Sequence, residues 1–296
     1  MANQKEIRKR ISTVKSTQKI TRAMKMVAGA RLHRAQARIA ALRPFAQETA
    51  KVLDKVVHSA QKDDQDTEKH PFLAEREEKR VLLLVVTSDR GLCGAFNSNI
   101  LRRAEQARTE FEAAGKTVVL HTIGRKARDF FQRRRIKIDE QFPNVWDNLD
   151  VETARRVART ILGPFYRGEV DSIYLVYNEF KSAMTQAVVL QRLLPVAAGE
   201  NLSETQGDSG EDFLYEPDRD TLLSVLVPVY IETTILRCLY ESMASELGAR
   251  MTAMDSATKN ASDMISDLTL KYNRARQAAI TTELMEIIGG SEALNA

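Results

Sequence analysis

The residues that break chains are scarce at both ends of this 296-residue sequence. Proline occurs seven times, yet only Pro44 falls within the first 58 residues and only Pro228 beyond position 218. Gly29 is the one glycine in that first segment. Segments so poor in breakers point to long helices and away from a turn-rich β architecture. Cysteine is rarer still: Cys93 and Cys238 are far apart and form no CxxC pair, which excludes a disulfide framework and favours a reducing compartment. His33, His58, His70 and His121 are scattered without ligand spacing, so no metal site is expected. No unbroken apolar run approaches eighteen residues, which predicts no membrane-crossing segment. The opening MANQKEIRKR is basic but leads into no apolar signal core, so no secretory leader is expected. No repeat with a period of 20 to 50 residues is present.

What is present begins with a helical stripe. Ile7, Ile11, Val14, then Ile20, Met24, Val27, then Ala35, Ile39, Leu42 step by threes and fours, with Thr17 and Thr21 as interruptions. This predicts a helix over residues 1–60. A charged stretch (KDDQDTEKHP) follows and reads as a linker over 61–79.

From 80 to 195 the pattern changes. VLLLVV at 81–86, TVVLHTI at 117–123 and SIYLVY at 172–177 are short β-rich runs separated by helix-length stretches. Such alternation predicts a mainly parallel sheet with crossover helices, a Rossmann-like α/β domain. TQAVVLQRL at 185–193 follows the third run closely and suits an antiparallel edge hairpin. Residues 196–217, rich in Gly, Ser, Glu and Asp, read as a loop.

The helical period then returns and does not stop. Ile235, Leu239, Met243, Leu247, Met251 and Met254 open a stripe that continues through Ala257, Ala261, Met264, Leu268, Tyr272, Ala275 and Ala279. A helix over 218–288 would be about 100 Å long, too long to pack inside one compact domain. Small residues and Met stand where a coiled coil usually carries Leu or Ile, which makes a narrow seam. Pro228 is expected to kink the helix rather than to precede it, and Gly289-Gly290 to close it, leaving a tail at 289–296. The two helical segments flank the α/β region, so the predicted fold is α/β: a long antiparallel coiled coil of the N- and C-terminal helices with the globular domain inserted.

A glycine turn follows the first strand: TSDRGLCGAFN, with Gly91 and Gly94. It lacks the Gly-Lys-Ser/Thr of a phosphate-binding loop and the GxGxxG of a dinucleotide fold. No acid ends the next strand to take a ribose hydroxyl. Gly91 and Gly94 are therefore read as structural, allowing a tight strand-to-helix turn. Cys93 beside Arg90 has no His or acid constellation to activate it. No catalytic residue, metal ligand or cofactor is expected.

Several motifs in order carry a resemblance. IRKRISTVKSTQKITRAMKMVAGARL at the start, HPFL at 70–73, SDRGLCGAFN, FLYEPD at 213–218, ELGARMTAMDSATKNASDMI and LKYNRARQAAITTELMEIIGG closely resemble the gamma subunit family of F-type ATP synthases. The resemblance covers nearly the whole chain. It implies a non-catalytic central rotor inside a hexamer of three alpha and three beta subunits. Its foot would bind the epsilon subunit and the c-subunit ring, coupling proton flow to the beta catalytic sites. It implies shaft contacts to alpha and beta at Met24, Arg250, Arg276, Gln277, Thr281 and Glu283. It also implies an apolar tip bearing at Leu284, Ile287 and Ile288. A bacterial inner membrane, cytoplasmic face, peripheral through the complex, is the setting it implies. Between Asn201 and Glu211 the chain lacks the cysteine-bearing insertion of chloroplast members, so thiol regulation is not expected.

A rival reading starts from charge. Net charge is +4, and residues 1–47 carry many Lys and Arg against Glu6 as the only acid. A basic coiled coil can track nucleic-acid phosphates. Here, however, the basic residues spread around the helix and no base-reading module follows.

Overall fold

A computed structural model describes residues 2–63, 76–196 and 219–295. HPFL at 70–73, FLYEPD at 213–218 and the loop expected at 196–217 fall almost wholly outside the described residues. The chain forms two compact units, Met1–Gly29 with Arg250–Ala296 and Ala30–Ala249. In chain order the elements are α1 (Ala2–Asp63), β1 (Arg80–Val86), α2 (Phe96–Ala113), β2 (Thr117–Ile123), α3 (Arg125–Arg133), β3 (Glu140–Phe142), α4 (Val151–Tyr166), β4 (Ser172–Phe180), β5 (Gln186–Leu194) and α5 (Arg219–Asn295).

The first unit is a pair of helical segments running in opposite directions. Gln4 donates to the carbonyl of Ala275, and the Thr21 hydroxyl meets that of Thr258. A step of seventeen residues up α1 is therefore a step of seventeen down α5. Along α1, Ile7, Ile11, Val14, Gln18, Thr21, Lys25 and Ala28 are shielded in alternating steps of four and three, with Met24 half-buried beside Lys25. Those of α5 are Met251, Met254, Thr258, Ala261, Ile265, Leu268, Tyr272 and Ala275, in the same rhythm. A sustained period of 3.5 keeps a seam facing its partner and is the signature of a left-handed coiled coil.

Ile7, Ile11 and Val14 lie in the seam as predicted, but from Gln18 to Ala28 the seam runs one position away from the apolar stripe expected for α1. Ile20 and Val27 are 60% and 54% exposed, whereas Thr21, expected to interrupt the stripe, is only 8% exposed. Met264 on α5 is likewise exposed, with Ile265 taking its place inside. The physical reason is polar: Thr21 and Lys25 have partners across the seam that an apolar pattern does not reveal.

The second unit is built on a five-stranded sheet of order β3-β2-β1-β4-β5. β1 pairs in parallel with β2 and β4, β2 in parallel with β3, and β4 antiparallel with β5. β1 is buried along Val81 to Val86, which is why its sequence reads as an unbroken apolar run. Leu83 and Val85 face α2 and α3 through Ile100, Ala104 and Phe131. Leu82, Leu84 and Val86 face the other core, with Val157 and Ile161 of α4, Leu53 and Val57 of α1, and Leu223, Val227, Ile231 and Ile235 of α5. That last face of α5 explains a hydropathy anomaly. An eighteen-residue stretch has mean hydropathy 1.7, enough by length and composition to cross a membrane, but 56% of it is buried inside the fold. Polar residues interrupt it, so a search for unbroken apolar runs passes over it.

Two further expectations change. β3 was not visible in the sequence, because a three-residue strand containing Glu140 and Gln141 carries no β signal. Gly289 and Gly290 do not close α5, which continues through both to Asn295. Pro228 lies inside α5 and Pro44 inside α1.

Candidate functional site

The turn after β1 is the place where an α/β sheet would bind a nucleotide. Here its polar groups are spent on one another. The Ser88 N–H donates to Asn97 Oδ1 at 3.0 Å, and Asn97 Nδ2 donates to Ser88 Oγ at 2.9 Å and to Cys93 Sγ at 3.1 Å. The Ser88 hydroxyl donates to the carbonyl of Arg90 at 2.7 Å. Asp89 Oδ1 accepts from the Arg125 N–H at 2.8 Å, so the first turn of α3 already holds a carboxylate from its own fold. The Thr87 carbonyl accepts from the Trp146 indole at 2.8 Å. α2 begins at Ala95 with no side-chain cap. Gly94 has φ 55, as a tight turn requires, but the other left-handed residue of the loop is Leu92 at φ 65, not Gly91. Nothing in this turn adds the lysine or metal-binding hydroxyl that triphosphate binding needs.

Neither thiol is placed for chemistry. Cys93 is buried, and Cys238 is buried so completely that desolvation pushes its pKa up to about 12. Among the described residues no cluster of His, Cys, Asp and Glu could hold a metal ion.

The outer faces of the paired helices carry the residues for which the resemblance implies contacts. Gln277, Thr281, Leu284 and Ile288 repeat at four, three and four residues and share one face of α5; Arg276, Glu283 and Ile287 share the neighbouring face. All are exposed, as is every residue from 280 to 291. Gln4 lies opposite Ala275, so this end of α5 runs past the start of α1. It is a single helix there, with Ile280, Leu284, Met285, Ile287 and Ile288 uncovered. The Thr281 hydroxyl donates back to the Gln277 carbonyl at 2.9 Å. Met24 and Arg250 are half-buried and lie far down the helices from this group. The expected contact residues thus form two zones rather than one site.

Sequence reasoning missed the cross-seam pairs, Lys25 Nζ to Asp255 Oδ1 at 2.6 Å and Thr21 to Thr258 at 2.8 Å. Gln18, Thr21 and Lys25 keep the alternation of four and three, but Ile20, Met24 and Val27 keep the same steps, so spacing alone does not single out the polar set.

A family model described as ATP synthase matches residues 3–294. The ATP synthase gamma chain of Sorangium cellulosum is 55% identical, with 99% of each chain covered. That of Geobacter metallireducens is 47% identical, again with 99% of each covered. Among solved structures, the central stalk and c-ring of the Tetrahymena thermophila mitochondrial ATP synthase contains a chain of similar fold. It has a TM-score of 0.61 and 27% identity, covering 80% of this chain and 99% of that one. A chain of the Euglena gracilis mitochondrial ATP synthase, in an assembly of OSCP, F1 and c-ring, gives a TM-score of 0.67 at 21% identity over 99% and 95%. None of these comparisons favours a nucleic-acid-binding role. Its whole length accounted for by that family model and by full-length bacterial relatives, the chain belongs to the ATP synthase gamma chain family.

Proposed function

We propose that this chain is the central rotor of a bacterial ATP synthase, making and breaking no bonds itself and acting by conformational coupling. It turns with a c-subunit ring, and its asymmetric helical pair favours a different combination of conformations in three beta subunits at each angle. Alpha and beta subunits, three of each, surround the helices; epsilon and the c-ring hold the other end. The complex sits on the cytoplasmic face of the inner membrane, with this chain peripheral to it. The observation that carries this reading is the single-helix end of α5, where the polar residues Arg276, Gln277, Thr281 and Glu283 and then the apolar residues Leu284, Ile287 and Ile288 follow one another along exposed faces.

The polar stretch and the apolar end beyond it suit different tasks. Leu284, Ile287 and Ile288 form a bearing in an apolar sleeve, where contact is non-directional and no bond need break as the helix turns. Arg276, Gln277, Thr281 and Glu283, with Met24 and Arg250 further down, make contacts to alpha and beta that vary with angle and so carry torque.

Two truncations separate these roles. Deleting residues 287–296 removes Ile287 and Ile288, at roughly 1.5–3 kcal/mol each if fully buried in the sleeve. The complex should assemble with reduced stability and keep substantial ATP-driven rotation. Deleting residues 276–296 should remove most of the torque. An assembled complex that stops rotating after the shorter deletion alone would contradict the bearing role.

A further inference from the structure

In the first unit α1 carries two faces that could each serve as a seam. Ile20, Met24 and Val27 step by four and three, and so do Thr21, Lys25 and Ala28 one position on. Apolar burial alone would choose the first set. The structure chooses the second, leaving Ile20 60% and Val27 54% exposed while Thr21 and Ala28 are buried.

Two polar groups of the chosen face, those of Thr21 and Lys25, have partners on α5. Lys25 Nζ lies 2.6 Å from Asp255 Oδ1, and the other carboxylate oxygen takes Lys259 Nζ at 3.1 Å. The Thr21 and Thr258 hydroxyls lie 2.8 Å apart, and either can donate to the other; each also reaches a carbonyl of its own helix, Gln18 at 3.0 Å and Met254 at 2.7 Å. Rolling α1 by one residue, roughly 100° about its axis, would break both cross-seam links. A polar or charged residue at a seam position is known to fix register at some cost in stability.

We infer that Thr21, Lys25, Asp255 and Thr258 are positioning residues: a polar clasp that sets the rotational phase of α1 and holds Ile20 and Val27 outward, on the stripe that also carries the half-buried Met24. That the stripe then meets the beta subunit rests on the rotor reading above; the phase itself does not. The clasp acts on the contact through α1 and touches no reacting group.

The test uses the free full-length chain and two single-cysteine probes outside the clasp, Val27→Cys facing out and Ala28→Cys facing in. The native Cys93 and Cys238 are buried and give little background. Maleimide labelling should be much faster at 27 than at 28. Removing both α5 partners with Asp255→Ala and Thr258→Ala should lower that ratio about tenfold, as expected for the loss of one partly exposed ion pair and one hydrogen bond. In the charge-reversed pair Lys25→Asp with Asp255→Lys the ratio should stay at the parental value. An unchanged ratio in the double alanine variant would overturn the clasp, since side-chain size alone would then set the phase. So would a rise of both rates together, which reports loosening without a roll. Because no partner subunit is present, failure of the rotor reading leaves these outcomes intact.

Discussion

Gly124, between β2 and α3, has φ 90, and a Cβ there would lie 2.1 Å from the Thr87 carbonyl oxygen. That oxygen accepts the Trp146 indole, while the Thr87 hydroxyl accepts the Ala127 N–H, so the crossing is fixed from several sides. Gly124→Ala combines backbone strain with a clash against backbone, and should cost about 2–4 kcal/mol of unfolding free energy in a denaturant titration. A loss under 0.5 kcal/mol would show that this crossing relaxes. His121 makes a second residue-level case. It is buried in β2 with no hydrogen-bond partner for Nδ1 among the described residues. Burial holds its pKa below the ordinary value, against the opposing pull of Glu140 and Asp139. The unfolded chain therefore takes up this proton first as pH falls below about 6.5, and stability drops through that window. His121→Gln should flatten the fall in stability between roughly pH 6.5 and 5, measured by urea unfolding at each pH; an unaltered slope would remove His121 from the account.

Among the elements, the far end of α5 departs most from local propensity. Gly289 and Gly290 are helical, with open space around the position of a Cβ in each. Glycine inside an exposed helix costs about 1 kcal/mol relative to alanine. Gly289→Ala with Gly290→Ala should slow amide exchange over residues 285–292 by roughly ten- to a hundredfold, if both increments reach the local opening equilibrium. Unchanged exchange would show that this end is already as ordered as the rest. The elements also show what was legible in the sequence. Periodicity gave two long terminal helices, and β-rich runs gave β1, β2, β4 and β5, because burial on one or both faces leaves a direct mark on composition. The phase of the α1 seam was not legible. Ile20 and Thr21 offer equivalent spacings, and the choice depends on Asp255 and Thr258, more than 230 residues away. The polar face at Gln277 and Thr281 was legible only through resemblance, because an exposed polar helix face looks the same whether water or a partner subunit covers it.

At the scale of the whole molecule, the chain has a sheet of the kind that can frame a nucleotide site, but the polar groups of the turn after β1 are engaged within the fold. Ser88, Asp89 and Asn97 satisfy the turn after β1 from within, and the thiols are buried. What stands exposed instead is a set of helix faces with the spacing of contact surfaces. A protein so built acts by where its surfaces point, and for a rotor that direction must change with time. The hairpin between β4 and β5 offers a handle for watching it, since Met184 is 83% exposed and both native cysteines are buried. With Met184→Cys carrying a bead and the assembled complex fixed to glass through its beta subunits, addition of ATP should drive stepwise revolution of the bead in one direction. A bead that stays fixed relative to the beta subunits while ATP is hydrolysed at the undisturbed rate would contradict the account.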